Sequence, residues 1–133
     1  ALRSLAINAD NQVAIARAGG IAPLVALARG GTDGQKEQAA GALGNLAFNA
    51  DNRVTIATAG GIAPLVALAR GGTHGQKEYA AGALGNLAFN ADNRVTIATA
   101  GGIAPLVALA RDGTDGQKEK AAGALANLAG NAD

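Results

Sequence analysis

Residues 52–92 read NRVTIATAGGIAPLVALARGGTHGQKEYAAGALGNLAFNAD, and the punctuation of this stretch decides the fold. Asp51, just ahead of it, is expected to cap a first helix, which Gly60-Gly61 stops. Pro64 falls where a first helical position would, because its missing N–H costs nothing there. That second helix runs to Gly71-Gly72, with Arg70 in the last turn, where a cation suits the helix dipole. Thr73 and Gln76 have capping-box spacing. A third helix is predicted from about Gly75 to Phe89, ended by Asn90 in the left-handed conformation. Three helices, short, medium and long, in about 40 residues make an α-solenoid unit.

Working outward, the same text recurs. Asn-Ala-Asp-Asn begins at Asn8, Asn49 and Asn90, in steps of 41, and Asn-Ala-Asp returns at Asn131. The chain is read as repeat units 11–51, 52–92 and 93–133 behind a partial repeat, 1–10. The first two units differ only at Gln12/Arg53, Ala14/Thr55, Arg17/Thr58, Asp33/His74 and Gln38/Tyr79. The last two differ only at Gly71/Asp112, His74/Asp115, Tyr79/Lys120, Gly85/Ala126 and Phe89/Gly130. Recent duplication or deliberate design accounts for such uniformity, and design is the preferred account.

Composition then removes whole classes of function. The 133 residues carry 11 Lys+Arg against 10 Asp+Glu, a net charge of +1 and no basic cluster for nucleic acid or an anionic membrane. There is no Cys, which excludes disulfides and thiolate chemistry, and a single His gives no metal-binding cluster. Three aromatics (Phe48, Tyr79, Phe89) are too few for a base-stacking platform. The longest uncharged apolar stretches, such as Thr55 to Ala69, are broken by Gly60, Gly61 and Pro64 and fall short of the roughly 20 residues a spanning helix needs. Ala1 opens the chain without a basic, apolar leader pattern, so the protein is read as soluble, and intracellular if natural. No cofactor is implied.

Asp-Asn-Arg-Val-Thr-Ile-Ala-Thr-Ala-Gly-Gly-Ile-Ala-Pro-Leu-Val-Ala-Leu-Ala, followed by Lys-Glu-x-Ala-Ala-Gly-Ala-Leu-Gly-Asn-Leu-Ala, resembles the armadillo repeat. The resemblance covers the whole chain, Ala1–Asp10 matching the second half of a third helix. It implies an all-α protein, a right-handed α-solenoid of three-helix repeats whose third helices line a concave groove. It also implies a partner: an extended peptide or protein segment lying along that groove.

The third helix can be read at about 100° per residue. In the first unit Ala39, Ala42, Leu43, Leu46 and Ala47 gather on one side as core. Glu37, Gln38, Gly41, Gly44, Asn45 and Phe48 take the other, which is expected to stay outside the core. An exposed amide offers both donor and acceptor to a peptide main chain, so Asn45, Asn86 and Asn127 form a candidate ladder, one rung per unit. The resemblance implies the same, since an Asn in this Asn-Leu-Ala context holds ligand backbone in the family; Ser4 departs from the pattern. The alternative is that these amides bond water or neighbouring side chains.

Family members that bind peptides typically carry Trp where this chain has Gly41, Gly82 and Gly123, so binding is expected to be modest and sequence-tolerant. Close approach of the adjacent third helix is the favoured reason for these glycines, ahead of close approach of a ligand backbone. Gln38, Tyr79 and Lys120 share one variable slot on the groove side, suited to tuning a binding face or simply free of packing. Phe48 and Phe89 are apolar anchors for a partner or pack locally over a helix end.

No enzyme can be assembled from these residues. Tyr79 and His74 lack a repeated partner constellation, and the carboxylates are spread singly along the third helices. Gly-Gly-Thr-Asp-Gly-Gln-Lys lacks phosphate-loop spacing and follows a helix rather than a strand. Both ends lack polar capping units: Leu2, Leu5 and Ala6 open the chain, and Leu125 and Leu128 close it. Concentration-dependent self-association through those ends is therefore expected, against a monomer that frays at Ala1–Asp10.

Overall fold

A computed structural model describes residues 8–130. Among these residues are nine helices and no strand, arranged as three successive triplets. The first is α1 (Ala9–Arg17), α2 (Ile21–Gly30) and α3 (Asp33–Leu46). The second is α4 (Ala50–Thr58), α5 (Ile62–Gly71) and α6 (His74–Leu87), and the third α7 (Ala91–Thr99), α8 (Ile103–Asp112) and α9 (Asp115–Ala129). None of these helices is long and apolar enough to cross a membrane.

Asparagine, not aspartate, starts each triplet. The Asn49 side chain accepts from the Asn52 N–H at 3.0 Å, and Asn90 accepts from Asn93 at the same distance. Asp51 sits in the first turn instead, where its charge complements the helix dipole without capping. Asn90 has φ −91°, an extended conformation, so it opens α7 rather than ending α6 in the left-handed region. The third helices stop earlier than expected, at Leu46 and Leu87.

The Gly-Gly pair after each first helix is a Schellman turn. Gly60 takes φ +79° and donates to Ala57 at 3.0 Å, while the Gly61 N–H reaches back to Ile56 at 2.9 Å. Only glycine enters that left-handed region without strain. Gly61 is needed for a different reason: a methyl group there would lie 2.7 Å from Ile56 Cγ2. The turn folds α5 back from α4 at 84°. Pro64 is the third residue of α5, not the first, yet it is still in the turn whose N–H groups have no helical partner.

Capping boxes open all the third helices: Gln76 N–H donates to Thr73 Oγ1 at 3.2 Å, and Thr73 N–H to Gln76 Oε1 at 3.0 Å. The third helices then stack, α3 on α6 and α6 on α9. Ala39, Ala42, Leu43, Leu46 and Ala47 are all buried, as their spacing indicated. Gly41, Gly44 and Gly85 are buried as well, contrary to the expectation that this side stays outside the core. At Gly44 and Gly85 the reason is geometric: a methyl on Gly44 would lie 3.4 Å from Ala83 Cα, and one on Gly85 3.3 Å from Ala124 Cα.

Candidate functional site

The exposed side of α3, α6 and α9 forms an open groove of about 370 Å³. Asn45, Asn86 and Asn127 line it, one from each helix. Tyr79, Lys120, Phe48 and Phe89 also line it, with Glu78 and Glu119 beside them and alanine and glycine as the floor. Gln38 is exposed and is not among these lining residues. Ser4 lies outside the described residues.

Asn86 and Asn127 have a structural task as well. Asn86 Nδ2 donates to the Gly44 carbonyl at 2.9 Å, and Asn127 Nδ2 to the Gly85 carbonyl at 2.9 Å. Each of these amides reaches back to the preceding third helix, and the glycine that lets the helices approach also supplies the acceptor. A carboxamide has two N–H donors and a carbonyl oxygen. One N–H and the oxygen of Asn86 and of Asn127 are therefore left for a ligand.

The close approach between third helices occurs at Gly44 and Gly85, and not at Gly82 and Gly123, where it was expected. Gly82 instead lies under a side chain from the next unit: a methyl there would sit 3.5 Å from Lys120 Cδ. At Gly123 nothing comes within 4 Å of such a methyl.

Phe89 packs locally, under the Arg53 guanidinium at 5.0 Å from the ring centroid. Arg53 also donates to the carbonyls of Ala47, at 2.7 Å, and Phe48, at 3.2 Å, closing the end of α3. Phe89 and Phe48 nonetheless remain 52% and 58% exposed. The carboxylates of Glu37 and Glu78 lie against Gly75 and Gly116, in the first turn of the next unit's third helix, where the dipole favours a negative charge. Among the described residues no group of three His, Cys, Asp or Glu could hold a metal ion.

Sequence reasoning missed two further amide ladders. Asn52 Nδ2 donates to the carbonyls of Gln12 and Leu46, both at 3.1 Å, and Asn93 repeats this with Arg53 at 3.2 Å and Leu87 at 3.1 Å. Gln76 Nε2 donates to the Asp33 carbonyl at 2.9 Å, and Gln117 Nε2 to that of His74 at 3.0 Å. In the other direction, Arg29 and Arg70 donate forward to the carbonyls of Gly60 and Gly101, at 3.3 and 3.1 Å. The available signal was invariance: Asn52 and Gln76 recur unchanged in every unit while their neighbours Arg53 and His74 vary.

The Armadillo/beta-catenin-like repeat pattern matches residues 8–48, 49–89 and 90–130. The chain belongs to the armadillo repeat family. Its matched windows begin at the capping asparagines, three residues ahead of the frame set from sequence.

Solved structures of engineered and designed proteins resemble it closely. An engineered protein is 33% identical with a TM-score of 0.90, over 96% of this chain and 53% of that one. A structure described as computationally designed armadillo repeat proteins for modular peptide recognition is 28% identical with a TM-score of 0.90, over 98% and 57%. A designed armadillo repeat protein in complex with the peptide (KR)4 is 27% identical with a TM-score of 0.88, over 95% and 54%. The chain spans about half the length of these proteins. No curated protein sequence matches it.

Proposed function

We propose that this armadillo chain is a protein-interaction scaffold that holds an extended peptide along the groove of α3, α6 and α9. One observation carries the reading. An asparagine from each third helix lines the groove, and Asn86 and Asn127 keep an N–H and an oxygen for a ligand after tying their helices together. Neighbouring helices lie about 8–10 Å apart and an extended chain advances about 3.3 Å per residue, so successive amides meet every second or third ligand residue. The designed relatives, one made for modular peptide recognition and one holding (KR)4, support an engineered scaffold of this kind. Tyr79, Phe48 and Phe89 offer apolar contact along the same line. Glycine at 41, 82 and 123 leaves no side-chain walls there, which keeps affinity modest. An armadillo scaffold is a binding fold without catalysis, and no reaction is assigned.

The test is a peptide array read with the Asn45→Ala, Asn86→Ala, Asn127→Ala triple variant. Loss of binding supports the groove. Because Asn86 and Asn127 also join units, Asn93→Ala is the control: it loosens a unit junction away from the groove and leaves binding intact. Binders indifferent to the triple change would sink the assignment.

A second reading is an engineered array that self-associates. Ile103 and Val107 are 44% and 37% exposed, whereas Ile62 and Val66, their counterparts, are each 2% exposed beneath the following unit. Ala126 opposes stacking on this face, since a methyl at the equivalent Gly85 would crowd Ala124. Leu2, Leu5 and Ala6, the other half of the expected contact, lie outside the described residues. Sedimentation from micromolar to millimolar protein decides it: a growing species abolished by Ile103→Glu supports assembly, and a monomer throughout removes it.

A further inference from the structure

We propose that the groove reads charge at a single step, Lys120, and selects a ligand carboxylate there. This rests on the peptide-binding reading above.

The variable slot and the glycine floor are one device rather than two oddities. The Lys120 methylenes lie across Gly82, on the preceding third helix. The floor at 82 is shallow, and Lys120 Cδ and Cε would lie 3.5 and 3.9 Å from a methyl there, in ordinary contact, so a side chain from the next unit covers that floor. The surrounding wall is largely uncharged: Tyr79, Ala83, Asn86 and Asn127. Of the two acids beside the groove, Glu78 is already set against Gly116 in the first turn of α9, and Glu119 is the exposed neighbour of Lys120 on its own helix. Lys120 has no ion-pair partner among the described residues.

One unit earlier the same slot holds Tyr79, half-buried against the core and uncharged. A ligand therefore meets a phenol at one step and a cation at the next, about three residues further along an extended chain. A lysine or arginine at the second step faces a like charge, and an aspartate or glutamate is attracted. The pair is solvent-exposed, so the discrimination is modest and salt-dependent.

The experiment uses octapeptides that bind the whole chain from a neutral array, each scanned position by position with Glu, Gln and Lys. At low salt one position is expected to prefer Glu over Lys by about fivefold. Lys120→Glu should invert that preference, Lys120→Met should flatten it, and Tyr79→Lys should create a second Glu preference about three residues away. All these side chains are at least partly exposed, so a circular-dichroism check suffices to show the variants fold. Binding that needs the asparagines but ignores charge at every position, or a preference unmoved by Lys120→Glu, overturns the proposal and leaves the groove standing. An array with no binder, or binders indifferent to the asparagines, overturns the groove itself and this proposal with it.

Discussion

Helices α6 and α9 are nearly the same sequence in different surroundings. Leu84 and Leu87 of α6 are fully buried, and their counterparts Leu125 and Leu128 are only half-buried. Ala81 is buried, and Ala122 is exposed. The residues are identical, so the difference belongs to the neighbour: α6 is covered on both sides and α9 only on one. Polar contacts divide differently. The side-chain amides point backward, so Asn127 and Gln117 make the same bonds as Asn86 and Gln76. The final unit has its full set of backward hydrogen bonds and lacks forward apolar cover. In this solenoid, amides set how each unit sits on the one before it, and burial depends on the one after.

Substitutions can break that contrast or sharpen it. The largest effect is expected at leucine. Leu84→Ala should destabilise by about 3 kcal/mol, because it opens a cavity in a closed core, and Leu125→Ala by only about 1 kcal/mol. Denaturant unfolding of both variants measures the gap; equal losses would show that α9 is as well covered as α6. Next comes an amide, which should not follow the leucine pattern. Asn93→Ala strips donors from the Arg53 and Leu87 carbonyls and should cost about 2 kcal/mol, read from the same transition.

Gly60→Ala and Gly101→Ala place a side chain at φ +79° and +82° and should each cost about 1–2 kcal/mol. Their losses should match, since both turns have the same backbone bonds and the same arginine donor from the preceding unit; thermal melts check the equality. Smallest is the exchange at the stacking face. Ala126→Gly should lose about 1 kcal/mol of helix propensity. Gly85→Ala should gain less than about 0.5 kcal/mol, because the propensity gain is offset by crowding of Ala124. A full propensity gain at Gly85 would mean the helices separate at little cost.

How much of this was legible varies with the range of the interaction. The capping box at Thr73–Gln76 and the Gly60-Gly61 stop were readable because their partners lie within five residues in sequence. Asp51 was misread as the cap because aspartate and asparagine both cap well, and only the backbone trace shows which one precedes the helix. The groove asparagines were found from their helical phase and the family resemblance. That Asn86 also bonds Gly44 was not visible, since 42 residues separate them. The glycines were assigned the right cause at the wrong position: third helices do close on glycine, at 44 and 85 rather than 82 and 123. A step of three residues rotates the position by about 60° around a helix, and that rotation separates the contact from the groove floor.

By itself the sequence determined the repeat, the three helices of each unit, the glycine turns after the first helices and the phase that puts the groove asparagines on the third helix. These follow from contacts within a few residues and from a period written three times over. Only the tertiary structure decided which amides staple one unit to the last, which glycines admit a neighbouring helix, and that Lys120 lies over Gly82. Those contacts join residues some forty positions apart, and their partners are fixed by the angle and rise at which one unit stacks on another. Side-chain packing across each junction sets that angle and rise, and no pattern within a single unit contains it.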